Sequence, residues 1–394
     1  MINNKFTRLA WISCTWVVLA LAGCGGGGGG GSPVSVAAAP TTPIAVAHSS
    51  YENKARAALA LGSSALPPGV TGQDAIAFGD FFQDGSYGLV SHTLEYNPSN
   101  PATASMYGHI HFWKKVGGAW SDQTSSLLSN NVGCLHARKA LVADFNGDGK
   151  PDVFFVCHGF DAPPYPGEAQ HLLLSQPNGT YQNITLSGIT CYCHGGTAFD
   201  ETGKGYADVV VATGSTNGEP ALFLVRNNQD GTFTKDTTTL PSTFNGKSVY
   251  SVEAIDLDGN GTYDLWLGGF DPGSEASGTA QSNEIAPQLL YLDASMNVTR
   301  DVALPTSTTY GMNLDAVVSN GKLYVLRTNI NGSTPNVDYY STAAVQSVDL
   351  TTLAASTPYT HSGAFPNGRY WDDWIIPTAS GVASLDSSYG IVAN

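Results

Sequence analysis

The chain has 394 residues, a formal charge of −15 at pH 7, and charged residues that make up only 12% of it. The excess of acids disfavours nucleic acid and other anionic surfaces as partners and favours divalent cations. Gly is abundant, with 45 residues, and short apolar runs are separated by Asn, Asp, Gly and Pro, which is typical of an all-β protein with many tight turns.

The amino terminus has the layout of a secretory signal. Two basic residues, Lys5 and Arg8, precede an apolar run over residues 9–21 that is shorter than the roughly 20 residues of a membrane-spanning helix. The run ends in Leu21-Ala22-Gly23-Cys24, which resembles the bacterial lipobox and implies that residues 1–23 are removed and Cys24 is acylated. Gly rather than Asp follows Cys24, so the expected location is the outer membrane or cell surface of a Gram-negative bacterium. The alternative is an ordinary or uncleaved signal with an incidental Cys.

Residues 24–72 are expected to form a tether and stalk. The Gly run over residues 25–31 is typical of a flexible linker, and the stretch behind it is rich in Ser, Pro, Ala and Thr, with at most a strand or two. The folded body is therefore predicted to begin near Gln73 and to form one repeat domain over residues 73–394.

One unit recurs along this domain: an apolar strand, an Asp-rich loop of nine residues, and a second apolar strand. The four copies begin their loops at Asp80, Asp144, Asp200 and Asp256, and the separations of 64, 56 and 56 residues suit one four-stranded blade each. Two further units, around Asp315 and over residues 370–394, lack the acidic loop. The prediction is a β-propeller of six blades, with seven as the alternative and with a strand before Gln73 completing the last blade.

The loops are spaced for a hard cation, which takes six to eight oxygen ligands at about 2.3–2.6 Å. Side-chain oxygens stand at loop positions 1, 3, 5 and 9, a backbone carbonyl stands at position 7, and Gly149 or Gly261 permits the bend at position 6. Two copies are complete and predict two Ca²⁺ sites. Their ligands are Asp144, Asn146, Asp148, Lys150 (carbonyl) and Asp152 in one loop, and Asp256, Asp258, Asn260, Thr262 (carbonyl) and Asp264 in the other.

Two other interpretations of these loops fit the sequence less well. An EF-hand would need flanking helices and a Glu at position 12, and a turn that binds nothing would leave crowded oxygens to repel one another. The third loop has Lys204 at position 5 and is expected to be free of ions. The first has Phe82 and Gly88 at positions 3 and 9, so it is at best a weak site.

The motifs DFNGDGKPD and DLDGNGTYD, which begin at Asp144 and Asp256, resemble the FG-GAP/VCBS repeats of integrin-α-type propellers. The resemblance covers most of residues 73–300. It implies a propeller with calcium on one face and a role in adhesion, cell-surface recognition or polymer binding. The stretch that begins at Cys157 is also similar to a bacterial subgroup of these repeat proteins, which brings no assigned activity with it.

Propeller geometry places a second set of residues on the face opposite the acidic loops, because the first strand of a blade starts where the second ends. The set has four cysteines, three histidines, an arginine and an aspartate: Cys134, His136, Arg138, Cys157, His158, Asp161, Cys191, Cys193 and His194. In an exported protein the cysteines are expected to form two disulfides. Three pairings are possible, and a bond between Cys191 and Cys193 is disfavoured as strained. The alternative is a zinc or copper site of thiolates and imidazoles.

Two functions fit this face. The first is a binding or adhesion module for a glycan, polymer or protein. The second is a hydrolase or lyase that uses His136, His158, His194 and Asp161 as acids and bases, although the sequence has no nucleophile elbow, P-loop, HExxH or dinucleotide motif. A further pair, His109 and His111, stands at period two on a predicted strand, where both side chains face one way and can bind a metal or line a wet surface.

Overall fold

A computed structural model describes residues 42–203, 205–214, 218–274, 283–329, 342–362 and 374–394. The predicted signal, residues 1–23, the predicted lipidation site Cys24 and the ammonium expected from Lys204 lie outside these residues.

The described residues form six antiparallel sheets in a β-propeller ring, as the spacing of the acidic loops predicted. Five sheets have four strands and the sixth has three, each in the order of the chain. The strands are β1 (Ala75–Gly79), β2 (Gly88–His92), β3 (Ile110–Val116) and β4 (Ala119–Asp122) in blade 1; β5 (Ala137–Ala143), β6 (Asp152–Cys157), β7 (Glu168–Ser175) and β8 (Tyr181–Cys191) in blade 2; β9 (Cys193–Phe199), β10 (Asp208–Thr213), β11 (Leu222–Asn227) and β12 (Phe233–Asp236) in blade 3; β13 (Val249–Ile255), β14 (Asp264–Gly269), β15 (Gln288–Leu292) and β16 (Val298–Ala303) in blade 4; β17 (Met312–Ser319), β18 (Lys322–Thr328), β19 (Thr342–Asp349) and β20 (Ala355–Ser362) in blade 5; and β21 (Ile375–Pro377), β22 (Val382–Ser384) and β23 (Val392–Ala393) in blade 6.

The helices are few and short. α1 covers Ser50–Leu61 and α2 covers Thr124–Leu127, and two 3₁₀ turns lie at Ser242–Phe244 and Ser387–Tyr389.

Neighbouring blades pack face to face through apolar side chains. Strands with continuous apolar runs, such as β6 and β10, are buried along their whole length or nearly so, since each is covered on both faces by adjacent blades. Blades 6 and 1 meet in an apolar cluster that also contains two alanines of α1, Ala57 and Ala58, together with Phe78 and Trp374. The two ends of the ring are therefore joined through α1.

α1 begins and ends at residues suited to those positions. The side chain of Ser49 accepts a hydrogen bond from the backbone N–H of Glu52 at 3.0 Å, and Gly62, with φ of 63°, closes the carboxyl end by donating to the carbonyl of Ala58. The helix contacts the first strands of five blades, β1, β5, β9, β13 and β21. The first strands of blades 1 to 6 also contact one another in sequence, so α1 fills the centre of the ring.

The predicted boundary at Gln73 is therefore wrong for this region. Residues 50–61 form a helix whose Tyr51, Asn53 and Lys54 are buried, rather than an exposed stalk. The expected strand before Gln73 in the last blade is also not seen among the described residues, because the segment is helical and the three-stranded sheet of blade 6 uses only residues after 374.

The helix carries one buried cation into the centre of the ring. Nζ of Lys54 lies 3.3 Å from Oε1 of Glu253 on β13 and also contacts Asp315 on β17. Lys139 on β5 approaches the same oxygen of Glu253 at 2.7 Å. Two ammonium groups thus face two carboxylates, and this pairing offsets the free-energy cost of removing the charges from water. Burial lowers the pKa of Lys54, but the two carboxylates outweigh it and raise the pKa above its usual value, so the side chain stays charged.

We expect Lys54→Ala to destabilise the fold by about 3–5 kcal/mol, because it leaves buried Asp315 without its ammonium partner and Glu253 with Lys139 alone. The free energy of unfolding is measured by denaturant titration. Arg56→Ala, on the exposed face of the same helix, is the control and should change stability by less than about 0.5 kcal/mol. Equal effects of the two substitutions would contradict the central ion network.

Candidate functional site

The four acidic loops join the first and second strands of blades 1 to 4, as predicted. In each loop the leading Asp accepts backbone N–H groups of its own turn; Asp144, for example, accepts from Gly147 and Gly149 at 2.7 Å each. Gly149 and Gly261 have φ of 76° and 88°, the left-handed conformation that the sixth position was expected to need.

The fourth loop gathers three carboxylates. Asp256, Asp258 and Asp264 each place one oxygen within 4.8 Å of the others. Burial, together with the charges of Asp258 and Asp256, raises the pKa of Asp264 to about 6. A divalent cation bound among these oxygens would replace the proton that repulsion favours, so the donor set fits a hard cation.

The second loop shares the pattern but has more partners. Burial, with a contribution from Asp144, raises the pKa of Asp152 to about 7. Asp148 accepts a hydrogen bond from Ser175 at 3.0 Å, and Nζ of Lys150 lies 3.7 Å from the same carboxylate oxygen. Asp144, Asp148 and Asp152, which are all among the described residues, do not gather within 4.8 Å of one another as the carboxylates of the fourth loop do.

The first loop is neutralised by protein groups. Nζ of Lys114 lies 2.5 Å from Asp84, and Asp80 accepts the backbone N–H of Ile44 at 2.8 Å. In the third loop Arg226 approaches Asp208 at 3.9 Å. These cationic side chains offset part of the negative charge of the two loops.

The residues predicted on the opposite face do come together, at the other ends of the strands. Ala137 pairs with Cys157 at one end of the β5–β6 ladder, and Ala143 pairs with Asp152 at the other. The ring centroids of His136 and His158 are 5.0 Å apart, and those of His158 and His194 are 4.5 Å apart. Arg138 Nη2 lies 3.3 Å from His158 Nε2 and 3.4 Å from Asp161 Oδ2. We call this group, His136, Arg138, His158, Asp161 and His194, the histidine cluster.

The tautomer of His158 is set by a backbone group. Nδ1 lies 2.7 Å from the carbonyl oxygen of Cys193, which can only accept, so Nδ1 carries the proton. Nε2 is then the lone-pair nitrogen, and it faces Arg138 and, at 3.5 Å, Oδ1 of Asp161.

The cluster has one ion pair and three neutral imidazoles at pH 7. Burial and the charge of Arg138 lower the pKa of His158 to about 4, and burial lowers the pKa of His136 and His194 well below its ordinary value. Burial alone would raise the pKa of Asp161, but the charge of Arg138 and the hydroxyl of Tyr192 hold it well below its usual range.

Tyrosines that the sequence analysis missed surround the cluster. Tyr96 accepts the backbone N–H of Asp161 at 2.6 Å, and Tyr192 donates its hydroxyl proton to the carboxylate of Asp161. Tyr250 stacks edge-on against His194, with ring centroids 4.1 Å apart. The only local signal in the sequence was the position of Tyr192 between two cysteines and that of Tyr250 at the start of a first strand.

Two further polar residues, also missed, brace the strand ends. The carboxylate of half-buried Glu168 accepts backbone N–H groups of Leu135, His136 and Gly159 at 2.9–3.0 Å. The side chain of Gln170 is fully buried and exchanges hydrogen bonds with the backbone of Cys157 at 2.8 and 3.1 Å. Both residues lie in the stretch that begins at Cys157. The sequence feature that could have identified them is a polar residue at an inward-facing position of a strand.

The cysteines form two disulfides, as expected, but with a different pairing. Cys134 pairs with Cys157 within blade 2, whereas Cys191 at the end of β8 pairs with Cys193 at the start of β9, so the second bond links blades 2 and 3 across a single residue. The Cα atoms of Cys191 and Cys193 are 5.1 Å apart, within the usual disulfide range of about 4.4–6.8 Å, because the chain bends at Tyr192 as it leaves β8 and enters β9. The predicted preference against this pair was wrong. With both pairs oxidised, a thiolate metal site is also not supported.

His109 and His111 do not share a site. Nδ1 of His109 lies 2.6 Å from Glu95, and Nδ1 of His111 lies 2.9 Å from Asp122. Each exposed or half-exposed imidazole thus has its own carboxylate, which fits a wet strand surface.

A cavity of about 360 Å³ opens beside the histidine cluster. It is lined by Gln73, Leu94, Tyr96, Asn97, Pro98, Ser99, His136 and Asp161. The segment after β2 thus forms one wall, and the cluster forms the other.

These features define a β-propeller with acidic turn loops on one face and a polar aromatic pocket on the other. Residues 200–267, from the third loop through β14, match the FG-GAP-like repeat family, and the chain therefore carries an FG-GAP-like repeat. No curated protein sequence is significantly similar to the chain.

Solved structures with a similar trace are distant in sequence. A putative 6-phosphogluconolactonase from Bacteroides fragilis is 13% identical, with a TM-score of 0.43, over 75% of this chain and 72% of that one. Saccharomyces cerevisiae Sqt1 is 11% identical, with a TM-score of 0.41, over 76% of this chain and 66% of that one. An exo-β-1,3-galactanase from Phanerochaete chrysosporium is 11% identical, with a TM-score of 0.38, over 76% of this chain and 70% of that one.

None of the described helices has the length and apolarity that a membrane crossing needs.

The disulfide pairing is directly testable. Peptide mapping of the unreduced protein should give the bonds Cys134–Cys157 and Cys191–Cys193. Replacing the first pair with alanines should cost roughly 3 kcal/mol in stability, since it releases a loop of 23 residues, whereas replacing the second should cost less because its loop is short. A bond that links either member of the first pair to either member of the second would contradict this arrangement.

Proposed function

We propose that this protein is a calcium-stabilised β-propeller, displayed at the cell surface by a lipid on Cys24, that binds a glycan through the pocket beside the histidine cluster. The anchor is inferred from the amino-terminal sequence alone. Calcium is inferred from the complete acidic loops, where the gathered oxygens of Asp256, Asp258 and Asp264 carry the argument.

The pocket carries the argument for a glycan. Its volume lies in the range of small-molecule sites, about 300–1,000 Å³. Its lining supplies the donors and acceptors that suit a ligand rich in hydroxyl groups, namely a carboxylate (Asp161), two amides (Gln73 and Asn97) and a hydroxyl (Ser99), while Tyr96 offers a ring. Arg138 is engaged by Asp161 and His158, so the pocket does not depend on an anionic ligand. A polymer or protein that presents similar groups is the wider form of the proposal.

One observation favours a second function, a hydrolase or lyase. His158 Nε2 lies 3.5 Å from Asp161, and His136 adjoins both at the edge of the cavity, an arrangement in which general acids and bases can work on a bound sugar.

Calcium should stabilise the fold. At a free concentration one hundred times the dissociation constant, each site adds about 2.7 kcal/mol, so chelation should lower the melting temperature. Asp258→Asn should remove about one bound Ca²⁺ ion per chain, measured by elemental analysis after dialysis. Asp230→Asn, in an exposed turn of blade 3, is the control and should leave the count unchanged. A melt that does not respond to chelation of a sample that contained calcium would overturn the structural role.

Glycan binding is tested with an array and then by calorimetry on the best ligand. Asn97→Ala should weaken binding several-fold and Asp161→Asn by about tenfold or more, because a hydrogen bond to a charged group contributes roughly 1.5–3 kcal/mol. Asn228→Ala, an exposed amide on blade 3, is the matched control.

The same ligand separates the two functions. Release of new reducing ends, or of an unsaturated product that absorbs in the ultraviolet, would establish the enzyme if Asp161→Asn abolishes it. Binding without turnover supports the module. If neither Asn97→Ala nor Asp161→Asn weakens binding, the ligand binds elsewhere on the protein.

A further inference from the structure

We propose that His136, His158 and Asp161 form a binding site for one transition-metal ion of the zinc type, distinct from the acidic loops. Each of the three offers one ligand atom, and these atoms lie within 4.8 Å of one another. Two imidazoles and one carboxylate are a donor set that suits zinc and its neighbours rather than calcium, which prefers oxygen alone.

The spacing fits such an ion. Metal–ligand bonds of about 2.0–2.2 Å in tetrahedral geometry separate neighbouring ligand atoms by roughly 3.4 Å. His158 Nε2 and Asp161 Oδ1 are already 3.5 Å apart. The ligand nitrogen of His136 lies within 4.8 Å of both atoms, so it would move by less than about 1.5 Å to reach this spacing.

His136 supplies an observation independent of the spacing. Its side chain is only 7% exposed, and its Nδ1 has no hydrogen-bond partner among the described residues. A buried imidazole nitrogen without a partner loses the hydrogen bond that it had in water, which costs free energy of folding. Ligation of a metal by this imidazole is one way for the site to offset that cost.

The supporting contacts are those that hold metal ligands in place. His158 donates Nδ1–H to the carbonyl of Cys193, which leaves Nε2 as a lone-pair donor, and Tyr192 donates to the carboxylate of Asp161. Cys193 is itself tied to Cys191, so the carbonyl is carried on a braced strand end. The cavity adjoins both His136 and Asp161, so the open coordination position would face it.

Arg138 is the group that opposes this ion. Its Nη2 lies 3.3 Å from His158 Nε2, the proposed ligand atom, and metal entry must displace that contact. The guanidinium can keep its 3.4 Å contact with the other carboxylate oxygen of Asp161. The positive charge of Arg138 repels a cation and attracts an anion. Removal of this charge therefore shows which kind of ion the site binds.

The test uses the full-length chain purified in detergent, stripped of metals and then held in excess Ca²⁺ to fill the acidic loops. Titration with Co²⁺ should give visible d–d absorption at one ion per chain, and Zn²⁺ should displace it. His158→Ala and Asp161→Asn should each weaken Co²⁺ binding by at least about tenfold, as loss of a ligand exceeds loss of a supporting contact. His171→Ala, a half-buried histidine on β7, is the matched control and should bind as the unaltered chain does.

Arg138→Gln provides the decisive comparison. Removal of the nearby positive charge should leave Co²⁺ binding intact or tighten it several-fold. Loss of Co²⁺ binding in an Arg138→Gln protein that still melts cooperatively would overturn the proposal. So would the lack of any calcium-resistant Co²⁺ site in the unaltered chain, or unchanged binding in both ligand variants. Because no glycan is present, failure here leaves the glycan proposal standing, and the reverse also holds.

Discussion

The ion network at the centre of the ring is the contact on which the rest of the fold depends. The first strands of a propeller converge on an axis that side chains must fill, and this chain fills it with α1. The helix brings Lys54 between Glu253 and Asp315, which belong to blades 4 and 5, while Ala57 and Ala58 join blades 1 and 6. A buried charge pair contributes little net stability over an apolar core, but its loss is costly. The main effect of the network is therefore to fix the position of α1 at the centre of the ring.

Once the first strands are fixed, the register of each blade separates two kinds of chemistry. The antiparallel pairing of β5 with β6 places Asp152 at one end of the ladder and Cys157 at the other. Acidic turns, which need tight loops with glycine in the left-handed conformation, occupy one face. Buried imidazoles, which need the covered ends of first strands, occupy the other. One sequence repeat thus produces a face of acidic loops and a pocket face without any further device.

The sequence predicted the features that repeat. Equal spacing of Asp144, Asp200 and Asp256 predicted blades of four strands, and propeller geometry then predicted which strand ends share a face. It did not predict α1, because the segment around Lys54 has the composition of a stalk, and only the carboxylates of distant blades make its burial favourable. The pairing of Cys191 with Cys193 was disfavoured because only Tyr192 separates them, whereas the chain bends at this residue and brings the two Cα atoms to 5.1 Å.

The pocket face is held rigid by groups that never reach the cavity. Glu168 satisfies three backbone N–H groups at the ends of β5 and β6, Gln170 bonds the backbone of Cys157, and a disulfide joins that residue to Cys134. Bracing of this kind fixes the imidazoles of His136 and His158 against Asp161, although desolvation of so many polar groups opposes folding. A surface that served only adhesion through loops would need neither the buried nitrogens nor this support. The same bracing supports the proposed metal site, because it holds the partnerless Nδ1 of buried His136 beside the carboxylate of Asp161.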